Sequence, residues 1–242
     1  MLKYIDTLEP FLKVYPAAEQ VFAEPVERYA RHIFPLVSID LSTVNPSWSG
    51  WIHLVNTVEP EDEIVGKATH PFHNYYLREN WVAFHLTDED RYELLGDLRY
   101  FYLENPPDTL PEAYGGHRQE LEEHYARQHA VFAEARARFA EHGVFYSQNK
   151  VKYNRDLSQE KPSTLLTQLG GGVGNGEWTY GSDPFPLDES DENNVRPLTP
   201  DGTPFHFIAK TSAYDYCEWG ADEIYLFFEP ESRVALLTFG WS

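Results

Sequence analysis

Three apolar runs near the end of the chain restrict its fold more than any other feature: PFHFIAK at 204–210, EIYLFFE at 223–229 and RVALLTFGW at 233–241. Each is rich in β-branched and aromatic residues and is bounded by turn residues, which predicts strands. Their near-continuous apolarity marks central strands, covered on both faces. Between the last two lie Glu229, Pro230, Glu231 and Ser232. Pro230 suits the first central position of a turn, so these two strands are expected to form a hairpin.

Helical periodicity is concentrated upstream. Over residues 117 to 142, Leu121, Tyr125, Phe132 and Phe139 fall on one stripe among Glu, Arg and Gln, and Gly143 supplies a stop. Residues 17 to 34 place Val21, Phe22, Val26, Tyr29 and Phe34 at helical intervals, with Pro25 bending or restarting the segment. A third helix is expected from Asp88 or Glu89 to Glu104, opened by Thr87 as N-cap and closed by Asn105, Pro106 and Pro107. Aromatic segments at 49–58 and 80–86 have strand character and begin a sheet in the first half. With no internal repeat or low-complexity linker, residues 1–242 are expected to form one α+β domain, helix-rich over 1–146 and strand- and loop-rich over 147–242. Its sheet, mixed or antiparallel and ending in the hairpin strands, is expected to pack against helices from the N-terminal half.

Charge narrows the function classes. Asp and Glu number 39 against 19 Lys and Arg, a formal net charge of −20. Such a field repels phosphate backbones and attracts cationic proteins, so direct nucleic-acid binding is disfavoured. The 42% hydrophobic and 15% aromatic content places that charge on a folded body. One cysteine, Cys217, excludes an internal disulfide and fits a reducing compartment. The opening MLKYIDTLEPF interrupts any apolar run with Asp6, Glu9 and Pro10, and no stretch approaches the roughly 20 apolar residues of a membrane span. No signal peptide is expected, and the cytoplasm is the expected location.

No motif declares a reaction. The run Gly170, Gly171, Gly172, Gly174, Gly176 is followed by no Lys-Ser or Lys-Thr pair and no obvious helix, so it reads as a structural turn rather than a nucleotide loop. His70 with His73, and His117, His124 and His129, lack the ligand number and spacing of a closed zinc site. A nucleophilic Cys217 with His206 and Asp215 is conceivable, but a free cysteine is more often a small buried residue. No catalytic residue, metal or cofactor is therefore assigned.

The acidic clusters are Glu59, Glu61, Asp62 and Glu63; then Asp188, Glu189, Asp191 and Glu192; then Glu218, Asp222 and Glu223. The second and third flank Trp178 and Trp219 in sequence, and aromatics ringed by charge are what protein-binding hot spots require. These nine residues, Trp178, Asp188, Glu189, Asp191, Glu192, Glu218, Trp219, Asp222 and Glu223, form the expected partner-binding set.

The segment LGGGVGNGEW, then PLTPDGTPFHFIAK, then ADEIYLFFEPE resembles the YwqG-like family of bacterial proteins, over about residues 165 to 242. Lys210 stands where that family usually has Gln. The resemblance implies no enzymatic activity. Relatives occur among bacterial immunity proteins, which implies an antitoxin-like protein that binds and neutralises a basic, cytoplasm-acting toxin, a nuclease being the expected target because its active site must hold phosphates. The alternative is a cytoplasmic enzyme or small-ligand-binding protein using a cleft near Trp178 and His206.

Overall fold

The computed structural model describes residues 1–241 apart from 60–63, 111–117, 154–155, 158–159 and 180–182. The three C-terminal runs form β10 (His206–Thr211), β11 (Glu223–Glu229) and β12 (Val234–Gly240), at the centre of a seven-stranded sheet. The remaining members are β1 (Leu2–Ile5), β5 (Trp81–Leu86), β6 (Tyr92–Leu94) and β7 (Leu166–Leu169), giving the order β1-β7-β10-β11-β12-β5-β6. Every pairing in it is antiparallel. The fold is therefore mixed α+β, and the central sheet interleaves strands from both ends of the chain.

The β11–β12 hairpin turns where expected. Its register runs from Glu223 opposite Gly240 to Glu229 opposite Val234. The buried Glu229 carboxylate closes the turn by accepting from the Glu231 and Ser232 amides at 3.0 and 2.7 Å.

Continuous apolarity in these strands follows from the two cores that they separate. Ile224, Leu226 and Phe228 of β11, with Ala235, Leu237 and Phe239 of β12, face the larger core. Tyr225, Phe227, Val234 and Leu236 face a smaller one, closed by Trp178, Phe185, Val195 and Phe205 from the loops between β7 and β10. In β10 a bulge between Phe207 and Ala209 divides the side chains: Phe207 enters the smaller core, Ile208 and Ala209 the larger.

The larger core is completed by a second antiparallel sheet and a long helix. β2 (Leu12–Val14), β3 (Ile33–Asp40) and β4 (Trp51–Thr57) pair in the order β2-β3-β4. Pro35, which has no N–H to donate, sits at the irregularity in the β3–β4 register. The helical stretch at 17–34 divides at Pro25 into α1 (Ala18–Val21) and α2 (Val26–His32), and Phe34 belongs to the strand that follows. The helix over 117–142 is α3 (Arg118–His142), whose Leu121, Tyr125 and Phe132 are buried and whose Gly143 turns out of it at φ +65°. Phe132 stacks on Phe34 of β3 at 4.3 Å. A polar seam also ties α3 to α2: His32 Nδ1 lies 2.9 Å from the Tyr125 hydroxyl, and Nε2 lies 2.9 Å from Glu104 Oε1.

The helix expected from 88 to 104 does not form. The segment turns at Asp90 (φ +60°), adds β6 against β5, and continues through 3-10 turns at Leu98–Tyr100 and Tyr102–Glu104. Thr87 closes the turn instead of capping a helix, its Oγ1 accepting from the Arg91 amide at 3.1 Å. Strands β1 to β6 all lie before residue 95, so the first 146 residues carry half of the sheet architecture as well as α3. After α3 the described helices are short: α4 (Gln148–Tyr153) and α5 (Ala213–Tyr216). No helix among the described residues is long and apolar enough to cross a membrane.

Candidate functional site

The glycine-rich run after β7 determines how the loops lie on the sheet. Gly170 and Gly171 have φ of +66° and +84°, values that only glycine adopts freely. Further on, a Cβ at Gly172 or Gly174 would come within 2.8 Å of the carbonyl oxygens of Asn193 and Glu192 respectively. The run is thus pressed against the backbone of the acidic loop, with Val195 N donating to Val173 O at 2.8 Å. It is a structural turn.

Trp178 follows from that packing and corrects the expected partner-binding set. It is 1% exposed, its indole N–H donates to Gly174 O at 3.1 Å, and its ring packs on Tyr225 and Phe227 with centroids at 5.4 and 5.2 Å. Burying a large apolar ring on the sheet outweighs leaving it in water, so Trp178 is a core residue and cannot reach a partner. Trp219, at the turn after α5, is 45% exposed.

The acidic residues have different surroundings. Asp188 lies on β8 (Leu187–Asp188), which pairs with β9 (Arg196–Pro197), and its carboxylate takes the Arg196 guanidinium at 2.6 Å. Hydrogen bonds from Ser190, then from Arg196, hold its carboxyl down at about 2. Glu189, Asp191 and Glu192 are exposed on the loop between these strands. Glu223 is half-buried; both its oxygens receive Lys210 Nζ, at 2.5 and 2.7 Å, and it accepts from the Tyr225 hydroxyl. Glu218, exposed beside Trp219, pairs with Lys152 of α4 at 3.5 Å, and Asp222 is half-buried with a partner of its own. Asp188 is thus tied to β9 and Glu218 to α4, so the two clusters are anchored on separate elements. Of the first cluster, Glu59 is buried in the core, while Glu61, Asp62 and Glu63 lie outside the described residues.

The other candidate groups are dispersed. Cys217 is buried beside Asn56, its Sγ accepting at 3.8 Å, and burial pushes its thiol up to about 12. His206 packs edge-on against Trp48 instead, with centroids at 5.1 Å. The His70 and His73 rings lie 4.6 Å apart, but His73 Nε2 donates to Gly66 O at 2.8 Å. His124 and His129 bond the carbonyls of Val58 and Arg31, and His117 lies outside the described residues. Among the described residues, no group of three or more His, Cys, Asp or Glu could hold a metal ion.

A cleft near His206 does exist, although Trp178 does not line it. Its volume is about 210 Å³, and its walls include Asn45, Trp48, Gly171, Asn194, Arg196 and His206. Asn45 and Trp48 come from the loop after β3, Gly171 from the glycine run, and Arg196 and His206 from β9 and β10. The sequence reading did not find Asn45, Trp48, Asn194 or Arg196, because they are ordinary loop and strand residues until the fold joins positions about 150 apart.

Compared with protein-family models, with curated proteins and with solved structures, the chain matches none.

Proposed function

We propose that this chain is an immunity-type protein, which acts in the cytoplasm by binding and neutralising a basic toxin, a nuclease being the preferred target, and carries out no chemistry of its own. The observation that carries this reading is how the few cations are used. Arg28, Arg31, Arg78, Arg99, Arg118, Lys152, Arg196, Lys210 and Arg233 all stand in ion pairs within the chain. These are nine of the 19 Lys and Arg, and the exposed Glu189, Asp191 and Glu192 lie in a stretch, 183–195, that contains no Lys or Arg. A surface of this kind steers a cationic partner and repels nucleic acid.

With Trp178 in the core, Trp219 beside Glu218 is the aromatic anchor of the proposed surface, and the loop at 189–192 is a separate source of steering charge. The resemblance of residues 165–242 to the YwqG-like family, with relatives among immunity proteins, points in the same direction. Co-expression with the product of the adjacent gene tests the reading: that product is expected to be toxic alone and harmless beside this chain. A non-toxic neighbour, or one that stays toxic, would refute it. In the complex, the association rate should fall about tenfold or more from low salt to 0.5 M salt, since steering can raise it by about 100-fold or more over a neutral pair. A rate that does not change with salt removes the electrostatic part.

A further inference from the structure

The cleft between Trp48 and the glycine-rich loop departs from the character of the rest of the molecule. In a chain of net charge −20, none of its described lining residues is Asp or Glu, and one is Arg196. Asp188 pairs with one terminal nitrogen of that guanidinium, whereas Arg196 Nε is buried and has no hydrogen-bond partner among the described residues. A buried donor without an acceptor is unfavourable, and such groups in folded proteins are few.

Three further polar groups share the cleft. The Asn45 Oδ1 accepts from the Ser47 amide at 3.0 Å and its hydroxyl at 2.9 Å, which leaves the Asn45 amide nitrogen as the side of that group able to donate elsewhere. Among the described residues, no hydrogen bond engages that nitrogen, the side-chain amide of Asn194 or the His206 imidazole. Burial, then the neighbouring Arg196 charge, holds His206 below the ordinary histidine range, so it is neutral near pH 7 and retains one donating nitrogen. Trp48 adds an aromatic wall, and Gly171, at a φ of +84° that only glycine adopts freely, brings the glycine-rich run to the cleft. Polar donors beside a cation that Asp188 engages through one terminal nitrogen, with one aromatic side and no Asp or Glu among the described lining residues, match a small-ligand pocket selective for negative charge.

We propose that this cleft binds a small oxyanion, the carboxylate or phosphate group of a compact molecule, with the Arg196 guanidinium as counter-charge and the Asn45 and Asn194 amides as neutral donors. At about 210 Å³ it is smaller than the roughly 300–1,000 Å³ of a typical drug-sized pocket, so the ligand is compact. The site is independent of the surface that carries Trp219 and needs no protein partner, so either proposal can fail without the other.

The test is titration of the full chain with inorganic phosphate and, separately, with benzoate, whose ring can lie against Trp48, followed by two-dimensional amide NMR. Saturable shifts of the Trp48 indole N–H and the Asn45 and Asn194 side-chain amides are expected with at least one probe. Response to phosphate alone identifies a phosphate ligand, to benzoate alone a carboxylate, and to both a general oxyanion site. Asn45→Asp keeps the oxygen that accepts from Ser47 and replaces the amide donor with a negative oxygen. Like Arg196→Gln, it should weaken binding about 10- to 100-fold. Trp219→Ala should leave it unchanged. If Arg196→Gln fails to fold, Asn45→Asp and Asn194→Asp carry the measurement. No saturable shift with either probe, or affinities unchanged in these variants, overturns the proposal.

Discussion

Asp215→Asn should make the protein more stable at neutral pH, and the size of the effect should depend on pH in a specified way. Asp215 lies on α5, beside the fully buried Tyr216, and among the described residues its carboxyl group takes no hydrogen bond. Burial raises its pKa from 3.8 to about 6, with only the charge of Lys150 acting in the opposite direction. The folded state therefore binds more protons than the unfolded state between these values, and stability contributed below the window is lost as pH rises through it. At about 1.4 kcal/mol per pH unit, the ionised carboxylate costs up to about 3 kcal/mol at pH 7.5. His53 acts with the opposite sign. It is buried between Ser38 Oγ at 2.8 Å and Asp90 O at 2.6 Å, and burial lowers it to about 4, so its contribution is lost as pH falls from 6.5 toward 4. In the unmodified chain the two effects partly cancel between pH 4 and 6.5. Urea unfolding followed by tryptophan fluorescence at pH 7.5, 6, 5 and 4 should show Asp215→Asn more stable by about 1–3 kcal/mol at pH 7.5, the gain shrinking to nothing near pH 4. The variant should also lose stability more steeply than the parent on acidification. A gain that is independent of pH, or a loss at pH 7.5, would refute the reasoning.

The two tryptophans of the expected partner-binding set should now separate: Trp178→Ala should cost about 3–5 kcal/mol in urea unfolding, whereas Trp219→Ala should stay within about 0.5 kcal/mol and weaken partner binding. Glycine positions give a second contrast. Gly220→Ala puts a Cβ 2.5 Å from that of Ala213 at φ +150° and should cost about 1–3 kcal/mol, while Gly202→Ala, with φ +85° and nothing within 4 Å, carries only the backbone strain of about 1–2 kcal/mol. Glu229→Ala removes the acceptor for the Glu231 and Ser232 amides and should lower the urea midpoint by the equivalent of about 1–2 kcal/mol.

The parts of the fold that could be read in the sequence were those where one physical signal dominated. β10, β11 and β12 are apolar along their length and separated by turn residues, and α3 carries one stripe over 25 residues. Segment 88–104 holds two competing signals. Thr87 and the acidic residues after it resemble a helix start, but Tyr92 and Leu94 alternate with Glu93, and both are buried. Pairing with β5 removes these side chains from water, which a surface helix would not do for the same pair. Gly96 supports the same outcome: a Cβ there would meet Leu77 at 2.3 Å. β3 was hidden for another reason. It follows α2 without a break, and Phe34 continues the helical spacing of the residues before it, so periodicity alone places the boundary too late.

For the site, proximity in sequence was misleading about aromatics. Trp178 precedes an acidic loop whether its ring faces water or the sheet, and neighbouring residue types do not distinguish the two. The glycines before it do. A chain able to press its backbone against Asn193 and Glu192 can fold the next aromatic back onto Tyr225 and Phe227, and at Gly172 and Gly174 any side chain would block that approach. A glycine run followed by one large aromatic is therefore evidence for a covered ring, and the hot-spot reading passes to Trp219, which lies in no such run. The same physics accounts for the cleft. Gly171 lines it, and the antiparallel pairing of β7 with β10 brings the glycine run beside the strand that carries His206. Residues that look unremarkable along the chain thus line one cleft once β3, β7, β9 and β10 are in place.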